Sequence, residues 1–249
     1  MARTRELPPP LPPESRTVGQ LVAESLRLYG SRFWPSLALG IGPALTGVAV
    51  IALPRAYVLA LLPTLGTLVW GAAFVAACRL ALPSTQANTA VALAVAFVAF
   101  LPLGITRVVG FPGSDLVGIG AFAFLALGVP AALVERRRFA DALRRGVELA
   151  RADYVHALGG IATLVITIFL SGLVLILLLH GAGDQAVRVA AIIALLVLAP
   201  VFLLGSALLY LDQDARVVDS GTRPRRTDAH VHPAVEPNAA GRSDLEVES

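Results

Sequence analysis

Six apolar stretches, each close to the length that crosses a bilayer, leave this chain few folds to adopt. A helix needs about 20 apolar residues to traverse about 30 Å of hydrocarbon. Runs of that kind occupy residues 33–53, 58–82, 89–106, 116–134, 158–179 and 189–211. None alternates apolar and polar residues as a strand does, which disfavours a β-barrel. Helices satisfy their own backbone hydrogen bonds, which is the condition lipid imposes. The breaks between runs carry turn chemistry: Pro54-Arg55, Pro83-Ser84-Thr85-Gln86, Gly110 to Asp115, and Gly181-Ala182-Gly183-Asp184. The third run is short and contains Pro102 and Gly104. With 56% hydrophobic and 15% charged residues, the chain has too little polar surface to cover a soluble globule. The fold expected is all-α: a polytopic membrane protein of six transmembrane helices with two amphipathic helices at the inner face.

Arginine placement sets the orientation. The 20 basic residues are all Arg, and the net charge is only +3. If six runs cross, 17 arginines fall on one side: those of both tails, Arg79, and the cluster from Arg136 to Arg151. Arg55, Arg107 and Arg188 fall on the other. The positive-inside rule then puts both chain ends in the cytoplasm of a cell-membrane protein. The arginines lie between apolar runs, without interleaved aromatics, so nucleic acid is not an expected partner. The first apolar run begins too late and is too long for a secretory signal, so insertion without cleavage is expected. Residues 1–16 and 217–249 are polar and aperiodic, and are expected to be disordered tails around a membrane domain at 17–216.

Two segments beside the spans read as amphipathic helices. Thr17-Val18-Gly19-Gln20 has the form of a capping box, and Val18, Leu21, Val22, Leu26 and Tyr29 follow at helical spacing. In the second segment Phe139, Leu143, Val147 and Ala150 form the stripe. A shift of 121 positions lays Val18 on Phe139, Val22 on Leu143, Leu26 on Val147 and Phe33 on Tyr154. Such a match in residue class is the pattern an internal duplication leaves.

Three stretches carry a resemblance. They are Gly19-Gln20-Leu21 through Ser25 to Tyr29 and Phe33-Trp34; Pro130 to Glu135 with Asp141 to Arg145 and Glu148-Leu149; and Leu209-Tyr210-Leu211-Asp212. There the chain resembles the six-pass membrane domain that precedes the catalytic domain of some bacterial glycerophosphoryl diester phosphodiesterases, and its stand-alone relatives. The resemblance implies a six-span membrane fold. It does not extend to an activity, because the phosphodiesterase barrel and its metal-ligating acids and histidines have no counterpart in this sequence. The family usually has Ser where Gly146 stands.

No catalytic constellation emerges, and neither a cofactor nor a metal is expected. His156 and His180 sit at opposite ends of one run, and His230 and His232 in the polar tail. Ser206, within Gly205-Ser206-Ala207, has no His placed as its base. Away from their ends the runs contain no Asp, Glu, Lys or His, as a proton-coupled carrier would need. Pro63, Pro102, Pro130 and Pro200 are packing kinks on the plain reading, and broken helices of a transporter on the sharper one. The candidate site is a charged cluster at the inner surface: Glu135, Arg144, Arg145, Glu148 and Asp212, with Asp214 close by. Glu135 and Asp212 are expected to hold the Arg-rich helix against the bundle. The function expected is a non-enzymatic integral membrane protein that organises or senses lipid head groups, or a membrane-protein partner, at the cytoplasmic face. The alternative is a transporter or lipid translocator using the proline-broken spans.

Overall fold

A computed structural model describes residues 17–82, 88–109 and 113–222. The expected tail at 1–16 lies outside the described residues, as does all but 217–222 of the one expected at 217–249; those six residues are helical. Six helical spans are long and apolar enough to cross a membrane: Phe33–Ala52, Arg55–Ala81, Thr89–Thr106, Ser114–Val134, Tyr154–Ala182 and Asp184–Val218. No strand occurs among the described residues, and the protein is an all-α multi-pass bundle. Several spans outrun their apolar cores. A helix need not stop where hydropathy falls, because its backbone bonds continue into the polar boundary.

Three spans are interrupted. The first is α2 (Phe33–Leu39) and α3 (Ile41–Ala52), hinged at Gly40. The second runs from α4 (Arg55–Leu61) through one π-helical turn, Leu62–Gly66, into α5 (Thr67–Ala81). Pro63 sits in that turn without an N–H to donate, and Thr67 Oγ1 donates to the Leu62 carbonyl at 3.3 Å. The third span, α6 (Thr89–Val109), continues through Pro102. The fourth is α7 (Ser114–Leu125) and α8 (Gly128–Val134). The fifth, α10 (Tyr154–Leu179), is unbroken and ends in a short 3-10 turn. The sixth, α11 (Asp184–Thr222), passes the expected domain boundary at 216 by six residues.

The two amphipathic helices are α1 (Val18–Ser31), before the first span, and α9 (Phe139–Ala152), between the fourth and fifth. Four crossings separate them, so they share one side, called here the α9 face. Thr17 closes the capping box: its Oγ1 accepts from Gln20 N, and its own N–H donates to Gln20 Oε1 at 2.7 Å. Both helices contain 14 residues, and their limits differ by the same 121 positions as the sequence match. The shift also carries extended Thr17 onto extended Arg138, Arg32 onto Asp153, and buried Leu21 and Ser25 onto buried Ala142 and Gly146.

The buried faces overlap the expected stripes without coinciding with them: Leu21 and Ala150 are fully buried, and Val22, Tyr29 and Leu143 pack on the core. Leu26 is 51% exposed and Phe139 41%. Large apolar residues had defined the stripe, whereas the faces that enter the bundle are built partly from small ones. Small residues let helix backbones approach. The helix α1 lies in the crevice of α10 and α11, with Leu21 beside Gly160 and Ser25 beside Gly205. The helix α9 packs against α6, α7, α8 and α11. Its closest approach is Gly146 on Gly128, where a Cβ on Gly146 would stand 2.4 Å from the Gly128 nitrogen.

The fourth and sixth spans form the centre, and the fifth is the most peripheral. Ile166, Phe169, Leu177 and Leu178 of the fifth span face outward, as lipid-contacting residues do. At the centre a chain of rings joins four spans: Trp70, Phe74, Phe100, Phe122 and Phe202, with centroids 4.7–6.2 Å apart. Their offset and edge contacts add to simple burial. Gly146→Ser forces a side chain into the α8–α9 contact. It is expected to cost about 1–3 kcal/mol, read by thermal unfolding in detergent. Wild-type stability would show that the two backbones do not meet.

Candidate functional site

The α9 face carries a latch made from the end of α8, the body of α9 and the last turns of α11. The carboxylate of Glu135, the residue that ends α8, is its hub. Oε1 accepts from Tyr210 Oη at 2.9 Å and from Arg145 Nε at 3.2 Å, and Oε2 accepts from Arg137 Nε. Arg145 reaches onward, donating from Nη2 to Asp214 Oδ1 at 2.9 Å. Arg136 makes the turn between α8 and α9 with φ of +54°, a left-handed conformation that few side-chain-bearing residues adopt.

A second set of contacts pins the start of α10. Asp153 caps that helix, its Oδ1 accepting from His156 N at 3.1 Å, while Oδ2 accepts from Arg216 Nη1 at 3.1 Å. Gln213 Nε2 donates to the Asp153 carbonyl at 3.3 Å. The last turns of α11 thus bind α8, α9 and α10, which explains why that helix outlasts its apolar run. Across the face, Arg32 Nη1 donates to the Leu80 carbonyl at 2.9 Å near the end of α5. A cation there favours the helix C-terminus.

Of the residues expected at one boundary, the structure joins Glu135, Arg145 and Asp214. Arg144 and Glu148 pair with each other at 3.0 Å on the outer side of α9, with side chains 82% and 49% exposed. Such a pair contributes a few tenths of a kcal/mol at most, roughly. Asp212 is fully buried, and the acid that meets Arg145 is Asp214. Helical geometry supplies the reason. Residues four apart share a face, so Tyr210 and Asp214 face the latch together. That spacing was legible in Tyr210-Leu211-Asp212-Gln213-Asp214; the Arg216–Asp153 contact had no comparable local signal.

Charge and burial act against each other at Glu135. Burial alone would raise its pKa, but hydrogen bonds from Arg137, Tyr210 and Arg145 outweigh it and hold the carboxyl below its ordinary range. At Arg145 burial works to lower the pKa, and the contacts with Glu135 and Asp214 overcome it, so the guanidinium is held charged more firmly than usual. A carboxyl depressed on folding stabilises the protein above its unfolded pKa. That contribution fades as pH drops through the folded value.

Among the described residues no group of three His, Cys, Asp or Glu is arranged to hold a metal. Ser206 is buried in α11. Cys78 is a buried free thiol. A separate feature lies toward the other end of the bundle: an apolar cavity of about 670 Å³ bordered by the π-helical turn and by residues of all six spans. Neither the sequence pattern nor the charge distribution signalled it.

The chain matches no protein-family model, no curated protein and no solved structure.

Replacing Glu135 by Gln removes the charge that three donors share. At neutral pH the variant is expected to lose about 1–3 kcal/mol of stability. Wild type should approach the variant as pH falls below about 4, the ordinary range of a Glu carboxyl. Thermal unfolding in detergent across that range tests this. Parallel curves would show that Glu135 contributes nothing specific.

Proposed function

We propose that this protein is a non-enzymatic cell-membrane protein, with both chain ends in the cytoplasm, that engages anionic lipid head groups through α9. The observation that carries the reading is the division of charge on that helix. Arg145 turns inward and is consumed by Glu135 and Asp214. Arg138, Arg144 and Arg151 are exposed, Arg144 paired with Glu148, and against the exposed Asp141 and Glu148 they leave a surplus of one positive charge. The latch thus holds a basic surface at a fixed place beside the bundle instead of leaving it on a free loop. Arginines close to an anionic leaflet gain about 1 kcal/mol each. The excess of arginine on this side of the six spans supports the cytoplasmic assignment.

The likeness to the six-pass domain of the phosphodiesterases belongs to this proposal too, as a kinship in fold. Gly146 marks where this chain departs from it. In this packing a Ser would press on Gly128. A translocator is the competing reading, and it draws on the cavity beside the Pro63 turn.

The test is the lipid that remains with the protein after extraction from mixed anionic and zwitterionic membranes. Wild type is expected to retain anionic lipid in excess. The triple variant Arg138→Gln, Arg144→Gln, Arg151→Gln should lose most of that preference, as should wild type in high salt. No preference in wild type, or an unchanged one in the variant, contradicts the reading. Flux of a labelled lipid across vesicles containing the pure protein would favour the translocator.

A further inference from the structure

The cavity on the side away from α9 has the dimensions of one leaflet. Its wall follows α10 from Val165 to Ile176 and α11 from Ala191 to Phe202. Each stretch is eleven steps, about 16 Å at the helical rise of about 1.5 Å per residue. Half of a hydrocarbon core about 30 Å thick is nearly the same length. The deep end is closed by Trp70, Phe100 and Phe202, members of the ring chain that joins the central spans. Val50, Phe169 and Leu173 stand exposed on its rim. Asp115, exposed in the first turn of α7, is the one charged residue among the described residues that line it.

The polar groups inside make their bonds within the protein. Thr67 Oγ1 donates to the Leu62 carbonyl at 3.3 Å, and Trp70 Nε1 donates to Thr46 Oγ1 at 3.2 Å. Water there would find few partners, and an empty space would forfeit the dispersion contacts of every lining side chain. The volume lies within the range of sites that enclose a small organic ligand, about 300–1,000 Å³. In a bilayer the apolar molecule at hand, in the right leaflet and of the right length, is a lipid.

We infer that this cavity holds one acyl chain of a bilayer lipid from the leaflet opposite α9, its methyl end against Trp70 and Phe202 and its head group at the level of Asp115. The chain of rings blocks passage toward the α9 face, so the site retains a lipid rather than conducting one. The inference goes beyond the head-group reading of α9 and stands on different residues; either can fail without the other.

Trp70 supplies the readout. The sequence has two tryptophans, and the other, Trp34, is 75% exposed on α2. Trp34→Phe leaves Trp70 alone. The protein is placed in phosphatidylcholine vesicles whose chains carry bromine, a contact quencher of indole, near the methyl end or near the ester. Strong quenching by methyl-end bromine and weak quenching by ester-end bromine are expected. Filling the cavity with Ala194→Phe, or separately with Gly172→Leu, should lower the methyl-end quench several-fold. The contrast between bromine positions is read with the cavity unfilled, so it stands even if a filled variant does not fold. Trp70 unquenched by either lipid, quenched equally by both, or unaffected in both filled variants would overturn the inference. A second copy of the chain or another protein seated in the cavity would give the first of these results.

Discussion

Every feature of this bundle descends from the need to satisfy backbone hydrogen bonds where there is no water. Inside hydrocarbon an unpaired amide is costly, so each apolar run has to close on itself as a helix. Departures from regular helix occur where the protein compensates. The π-helical turn at Pro63 is braced by Thr67, and the hinge at Gly40 sits against the backbone of α11, where a Cβ would come 1.9 Å from the Leu196 carbonyl oxygen. Between helices lipid offers no hydrophobic drive, so association rests on close packing and on polar contacts. Small residues supply the first, at Gly146 on Gly128. The ring chain and the ionic latch supply contacts that fix register.

The latch and the ring chain divide the molecule. On the α9 face, charged groups from α8, α9, α10 and α11 meet in mutually satisfying pairs, which makes that end a tied assembly. On the opposite side the spans part around an apolar space. A protein fastened at one face and open in the other leaflet is suited to contact lipid in two ways. In the reading proposed above, basic side chains address head groups on one side, and an apolar chamber addresses chains on the other.

Sequence pattern conveyed the parts governed by local rules. Six long apolar runs read directly as helices, and Thr17 with Gln20 gave the start of α1 because a capping box is a local hydrogen-bond motif. Glu135 and Arg145 were legible as partners from their common position at one boundary. What stayed hidden depended on three-dimensional packing. The helix faces chosen from large residues were right in part: Leu21 and Ala150 enter the bundle, but so do the small Ser25, Ala142 and Gly146, whereas Leu26 and Phe139 do not. That Asp214 is the acid to meet Arg145 depended on the angle around the helix, which placement by depth does not give. The end of α11 was set at the loss of hydropathy, yet its polar residues continue the helix by binding Asp153. The cavity arises from the parting of all six spans, which no single run encodes.

The central claim is an even number of crossings with α9 inside the cell. Its most direct measurement is the reactivity of single cysteines toward a membrane-impermeant maleimide in intact cells, with buried Cys78 replaced by Ala. The account predicts that Asp184→Cys, between the fifth and sixth spans, is labelled from outside. Arg138→Cys, at the head of α9, should be labelled only after the membrane is opened. Labelling of both from the same side, or the reverse pattern, would contradict it.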